Sequence, residues 1–499
     1  MRVPAGIELS PLCQYHFSGI NFPFSYRLFG LWVEFRWSRA HGEGTLDGNR
    51  CISVIGKGSD VSSGASPALH RQAGELSIFS LMTLSNKKAN YGDHLDRISD
   101  LPSNVIDGIL QHLNIRDLAR TSILSRKWRD IWISFPWLEF DKDFFDLYDL
   151  KDFKDHSPEV CIIITEVLLL HNGPINKFTL FIPSGFNIPF GCIVKWILFL
   201  SRKGVKFIQL ASNESVPYRV PSHFFSFQKL THVRICKFKL LVPPNFCGFK
   251  SLVHFHFERM TFEFGALESL ISGCPLLEEL YIVNCSGIEC IDLSAPTLKV
   301  FSIEHIQAIK SICLEKAKNL IDLTLVLNQD GVSSLNKNLP EIQRLTMGFV
   351  SKMLYADIIH PSQLIGLKYL KLDRVNLDER EELLYIVSVL KSASNLVELV
   401  IENYHEKGGY KTQAAGRVEE LECSSCCLRQ LLIVNIKVRS YFKHVMSLIR
   451  FILANSSSLK TLTLNVHRSH NKSDVPILFN IWMKRASHRA HIEFLHQRM

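Results

Sequence analysis

One apolar signature dominates this chain and restricts what it can fold into. Leu-x-x-Leu-x-Leu, with other large apolar residues admitted at each place, starts at Leu230, Leu252, Leu277, Leu298, Leu320, Ile342, Leu367, Leu396, Leu428 and Leu459. Looser copies start at Ile175 and Val205. A single copy would mean little, because leucine is common. Ten in series, with nine intervals averaging about 25 residues, fall inside the range of about 20 to 29 residues for stacked strand-and-return repeats. In each copy the x-Leu-x-Leu core reads as a short strand whose alternate residues point inward. Parallel stacking of successive strands buries them, and a helix or loop carries the chain back. The last three intervals lengthen to 29, 32 and 31 residues. They leave room for full return helices over Glu381 to Leu390 and Phe442 to Ala454. Asparagine at the fixed turn position is mostly missing, and Asn284 is read as the residue that fills it.

Upstream the pattern changes to a helical period. After Leu101-Pro102, the residues Val105, Ile106, Ile109, Leu110 and Leu113 recur on one helical side, and Ser103 is the expected N-cap. Asn114 followed by Asp117 predicts a second helix opened by a variant of the capping box, with Leu118, Ala119 and Ile123 on its buried face. A third helix follows Leu124-Ser125, carries Trp128, Ile131 and Trp132, and stops before Pro136. Three short helices make a poor core on their own. Their surplus of apolar residues, both tryptophans included, predicts a docking surface.

Composition closes off other classes. The chain has 499 residues, 46% of them hydrophobic and 21% charged, so most of it can pack. The net charge of +9 is mild at this length and contains no block of five like charges, which argues against nucleic acid as partner. No run of 18 apolar residues predicts a membrane span, and no secretory leader is read at the N-terminus. The 13 cysteines are odd in number and lack a framework spacing, so reduced thiols are expected. The CxxC at Cys423 and Cys426 has no second pair to complete a zinc site. His254 and His256 share a strand face without a third ligand, so no metal and no cofactor are expected. No nucleophile elbow, phosphate loop, dinucleotide fingerprint or HExxH occurs, and no catalytic residue is assigned.

The segment from Asp96-Arg-Ile-Ser-Asp-Leu-Pro to Ser125-Arg-Lys-Trp-Arg129 closely resembles an F-box. Together with Ser272-Gly-Cys-Pro-Leu-Leu-Glu-Glu-Leu280 and the C-terminal stretches Leu448 to Leu464 and Ile492 to Leu495, it is similar to plant F-box proteins of the F-box/FBD/LRR-repeat family. The resemblance implies an α/β fold class: a small three-helix F-box at 96–140, a leucine-rich-repeat solenoid at 160–410 and an FBD-like repeat segment at 411–499. Residues 1–95 match nothing in that family and are expected to be a largely disordered extension.

By the same resemblance, the F-box docks on a Skp-type adaptor and so on cullin and RING subunits of a ubiquitin ligase. The positions matching the family's adaptor-contacting pattern are Leu101, Pro102, Ile109, Leu110, Leu113, Leu118, Leu124, Ser125 and Trp128. The repeats then hold a protein substrate, read by the outward strand positions His232, Arg234, His254, His256, Glu279, Tyr281, Arg344, Tyr369 and Lys371. Their mixed charge suits a protein partner better than a phosphate backbone. Nucleus and/or cytoplasm is the expected location. The alternative is a repeat-based interaction module that binds the adaptor without sending a target to degradation.

Overall fold

The computed structural model describes residues 24–28, 31–35, 101–124, 126–146, 153–306, 309–327, 334–335, 341–348, 364–375, 377, 380–403, 428–438, 442–466 and 490–496. Ser125, the cysteines of the CxxC and most of residues 1–95 lie outside them. Within the extension expected to be largely disordered, the structure describes one antiparallel hairpin, Phe24–Leu28 with Leu31–Phe35. Its aromatic and β-branched composition favours extended chain. Two compact units follow from the chain's contacts, one ending at Pro174 and taking in Gly185–Ile188, the other comprising Ile175–Ser184 and the chain from Pro189 onward.

The first unit holds three short helices, Ser103–Leu110, Ile115–Arg120 and Arg126–Ser134. Ser103 is not the cap expected of it. Pro102 is the N-cap residue, with φ −56° and no side-chain cap bond, and Ser103 is the first helical residue. The Pro102 carbonyl receives the Val105 and Ile106 amides instead. A proline suits this edge, since the first amides of a helix lack partners anyway. Asn114 does cap the second helix: its Oδ1 accepts from the Arg116 and Asp117 amides at 3.1 and 2.9 Å. Its Nδ2 donates to Asp117 Oδ2 at 2.8 Å, so the variant box closes side chain to side chain. Behind these helices, Phe140, Phe144, Phe145 and Phe186 meet edge to face at 5.0 to 5.1 Å, the geometry that ring quadrupoles favour.

The second unit is a leucine-rich-repeat solenoid. Its longer strands form one parallel ladder in chain order, from Lys177–Ile182 through His491–His496. Shorter strands form two three-stranded parallel sheets, Tyr218–Arg219, Phe238–Leu240 and Thr261–Phe262 in one, Cys290–Asp292, Ser311–Cys313 and Ser334–Leu335 in the other. Leucine-motif positions such as Leu280, Ile282, Leu323, Leu370, Leu399 and Leu462 are fully buried, but the copy read from Leu428 is out of register. Ile433 is exposed, and Val434 and Ile436 turn inward in line with Leu462 and Leu464, so that repeat runs from Leu431. Long return helices stand at Arg380–Ser392 and Phe442–Asn455, within two residues of the expected bounds. Before each strand, one backbone carbonyl accepts two successive amides of the next repeat. Thr231 O takes Val253 and His254 N, and Val253 O takes Glu278 and Glu279 N. That repeated double bond pins the register.

The strands end in a shared device that the sequence reading missed. Two residues beyond the last motif position, Lys237, Arg259, Asn284, His305 and Arg374 all adopt left-handed backbone, with φ between 50° and 62°. The Lys237, Arg259 and Asn284 amides each bond a carbonyl of the next repeat at 2.8 Å. The following side chain turns inward: Phe238, Met260, Cys285, Ile306 and Val375 are buried. Asn284 therefore does not fill the buried turn position assigned to it; it is exposed, and Cys285 occupies the slot. Cys285 Sγ donates to the Phe257 and Val283 carbonyls, and Met260 Sδ accepts from the Phe238 amide at 3.4 Å. Apolar and sulfur side chains here replace an asparagine ladder. Each left-handed non-glycine costs about 1 kcal/mol, which the buried next residue offsets.

Candidate functional site

Two surfaces carry the expected binding residues. On the F-box, the nine docking positions divide by burial. Leu110, Leu118 and Trp128 are inside, at 0%, 1% and 3% exposure, as is Trp132. They form the small core that the three helices do possess, and the surplus of tryptophan expected on the surface is not there. Ile109 at 44%, Leu113 at 36% and Leu124 at 60% remain in water. Pro102 is exposed and Leu101 half-buried. Val105, at 41%, joins the exposed set and was not among the nine. Val105, Ile109 and Leu113 are spaced four apart, so they follow one stripe of the first helix and its end. Ile106 and Leu110, one residue on, are buried. The helix is therefore apolar on two sides, and only one has a partner within the described residues. The signal was in the sequence: a helix of eight residues with five apolar positions nearby holds more than one buried face can use.

On the repeat unit, the pairing register sets the outward residues in rows that run across the strands. One row reads Lys177, Phe207, His232, His254, Glu279, and further on Asp322, Arg344, Tyr369 and Glu398. The next reads Thr179, Gln209, Arg234, His256, Tyr281, then Thr324, Thr346 and Lys371. All nine expected reading residues belong to these two rows. The structure splits them into two groups separated by Val300 and Ser302.

In the first group, rings stack strand upon strand. Phe207 lies 6.1 Å from His232, His232 5.6 Å from His254, and Tyr281 5.3 Å from His254 and 5.6 Å from His256. Lys177 Nζ stands 5.5 Å over the Phe207 ring. Glu279 Oε2 takes bonds from His254 Nδ1 at 2.9 Å and from the Tyr281 hydroxyl at 3.3 Å. The opposite nitrogen of His254, Nε2, is buried without a partner. Burial holds the His232 and His256 imidazoles below their usual range, helped for each by neighbouring Arg234 and His254. Burial also raises the Tyr281 phenol, with Glu279 adding to the shift.

The second group is ionic. Arg344 Nε bonds Asp322 Oδ2 at 3.1 Å while its guanidinium lies 4.0 Å over the Tyr369 ring. Burial lifts the Asp322 carboxyl despite Arg344. Glu402 holds Lys437 at 2.6 Å and Lys371 at 3.4 Å; burial opposes its charge, but these lysines keep its carboxyl below the usual range. Lys177, Phe207 and Gln209 were not among the expected residues. The looser copies at Ile175 and Val205 already marked their strands, so the period would have found them.

Among the described residues no group of three histidine, cysteine or acidic side chains is placed to hold a metal ion. None of their helices is long and apolar enough to cross a membrane. The exposed stripe and the patterned strand face describe a protein-interaction module.

Known proteins agree with this architecture. The F-box domain family matches residues 98–139, and the family described as FBD-associated F-box protein At5g56370, LRR repeats, matches residues 193–337. The F-box/FBD/LRR-repeat protein At1g13570 of Arabidopsis thaliana is 31% identical over 431 residues, covering 81% of this chain and 99% of its own length. The F-box/FBD/LRR-repeat protein At4g26340, from the same organism, is 25% identical over 402 residues, covering 74% of this chain and 92% of its own. With an F-box ahead of stacked leucine-rich repeats and a relative matched almost end to end, the chain belongs to the F-box/FBD/LRR-repeat family.

Proposed function

We propose that this protein is the substrate-recognition subunit of a Skp–cullin–F-box ubiquitin ligase. Its F-box binds the Skp-type adaptor, and its repeats hold the target protein. The observation that carries the reading is the exposed stripe Val105, Ile109 and Leu113 with Leu124 nearby in sequence, apolar side chains left in water on helices that bury Ile106, Leu110 and Leu118. The chain itself transfers nothing. It supplies proximity, placing the target beside the ubiquitin-charged subunits. Nucleus and/or cytoplasm is the location that fits these partners.

Co-purification tests this. The tagged chain is expected to bring down both adaptor and cullin, and a target should gain half-life when the chain is removed. Absence of the adaptor from the purified protein overturns the reading. Adaptor capture without any protein changing in turnover overturns the degradative part and favours a non-degradative interaction module.

A further inference from the structure

The cations on the strand face are not equivalent. Arg344 is engaged by Asp322, and Lys371 and Lys437 share Glu402. Arg234 is exposed and makes no ion pair with any described residue. Its neighbours in the register are Gln209 and His256. Of the carboxylates around it in the register, Glu258 on the adjacent strand holds Arg259 at 3.4 Å, and Glu279 is occupied by His254 and Tyr281. An unpaired guanidinium thus stands beside His256 in its own row, one row from the stack of Phe207, His232 and His254.

We propose that this part of the face binds an extended segment of the target bearing an acidic side chain, its carboxylate on Arg234 between the His232 and His256 ring edges. The proposal rests on the reading that the repeats hold the target. Three features select this ligand. First, a guanidinium presents a planar fork that takes a carboxylate through two parallel bonds. Second, a ligand that covers the neighbouring His256 ring also removes water from around the fork, which strengthens a charge-assisted bond. The imidazoles are neutral near pH 7, because burial disfavours their charged form, so they offer hydrogen bonds without claiming the carboxylate. Third, the ring row spans four adjacent strands, about 15 Å at strand spacing, which matches four or five residues of extended chain rather than a compact small molecule.

A phosphate dianion fits less well. Among the described residues of the first group in these two rows, Arg234 is the one cation without an ion pair or ring contact, and Glu258, Glu279 and Glu304 lie in the adjoining registers.

The test uses the full-length chain and a library of nine-residue peptides. The central position is fixed as Glu, Gln, phosphoserine or Lys, and all others are randomised. Glu pools should be retained about tenfold more strongly than Gln pools, and Arg234→Gln should erase the difference. Arg234 is exposed, so the variant is expected to fold; its melting curve checks this. Equal retention of all pools, preference for Lys or phosphoserine over Glu, or an undiminished Glu preference in Arg234→Gln overturns the proposal. Adaptor capture, measured on the same preparations, separates the two readings. Lost capture with intact Glu preference defeats only the ligase assignment. Normal capture without Glu preference defeats only the acidic-ligand assignment.

Discussion

Truncating Ile109 and Leu124 together should weaken adaptor binding while the F-box stays folded. The magnitude follows from exposure. A large aliphatic side chain is worth about 1.5–3 kcal/mol when fully removed from water. Ile109 and Leu124 keep 44% and 60% of their surface exposed, so a partner that covers them gains about 1 kcal/mol from each. Ile109→Ala/Leu124→Ala should therefore cost about 2 kcal/mol of binding, a loss of roughly 30-fold in Kd. Stability should fall by a similar or smaller amount, because part of each side chain already sits in water. Leu110→Ala is the opposite case. Leu110 is fully buried, and its truncation should cost about 2–5 kcal/mol of folding free energy, enough to unfold so small a unit. Calorimetric titration with the adaptor, paired with thermal melts, distinguishes the two. If the exposed pair is truncated, the chain melts normally and the adaptor binds as before, then the stripe is not the docking surface.

Other perturbations probe the repeats. Because burial depresses the His232 and His256 pKa values, the folded state favours the neutral rings. Their contribution is complete above the unfolded value of about 6.5 and is lost as pH falls through the depressed folded values. Replacing both by Gln should thus reduce the drop in melting temperature between pH 7.5 and 5.5; an unaltered drop removes these two rings as its source. Gly248 has φ 92°, and a Cβ there would lie 1.8 Å from the Gly273 carbonyl oxygen, so Gly248→Ala should lower the unfolding free energy read from urea titration by about 2 kcal/mol or more. Gly204→Ala, at φ 75° but with nothing nearer than 3.7 Å, should cost only about 1 kcal/mol, and equal losses would show that the close approach does not matter. Burial pushes the Cys274 and Cys285 thiols up to about 11 and about 12, whereas Cys247 and Cys290 are exposed. Alkylation at pH 8 followed by mass spectrometry should label the latter pair and spare the former; rapid labelling of Cys285 in the folded chain contradicts the buried slot.

What the sequence shows and what it hides follow from the range of the forces involved. The strand period was legible because alternation is a local demand: each of Leu280, Ile282, Leu323 and Leu370 must face inward whatever its neighbours are. The Asn114 cap was legible for the same reason, since donor and acceptor lie within three residues. Ser103 misled because a proline one position earlier met the requirement by backbone alone. The turn slot misled because no single residue type is required there. Phenylalanine, methionine, cysteine, isoleucine and valine all fill it, so no motif marks it.

Charge pairing lay further out of reach, and it matters most for function. A row across the strands joins residues about 25 positions apart, such as His254 to Glu279. Sequence could place Arg234, Arg344 and Lys371 on one face. It could not show that Asp322 and Glu402 engage the latter two while Arg234 goes unpaired. That distinction decides which residue is available to a ligand. An arginine already held by a carboxylate and an aromatic ring gives up existing bonds to greet a partner, whereas an unpaired one gives up only water. The same reasoning governs the F-box, where Leu110 and Ile109 are adjacent leucine-like residues on one helix and only the second is free to be covered. In both places the functional residue is the one the fold has not already used. It is found by subtracting the contacts the chain makes with itself from the residues its pattern puts on the surface.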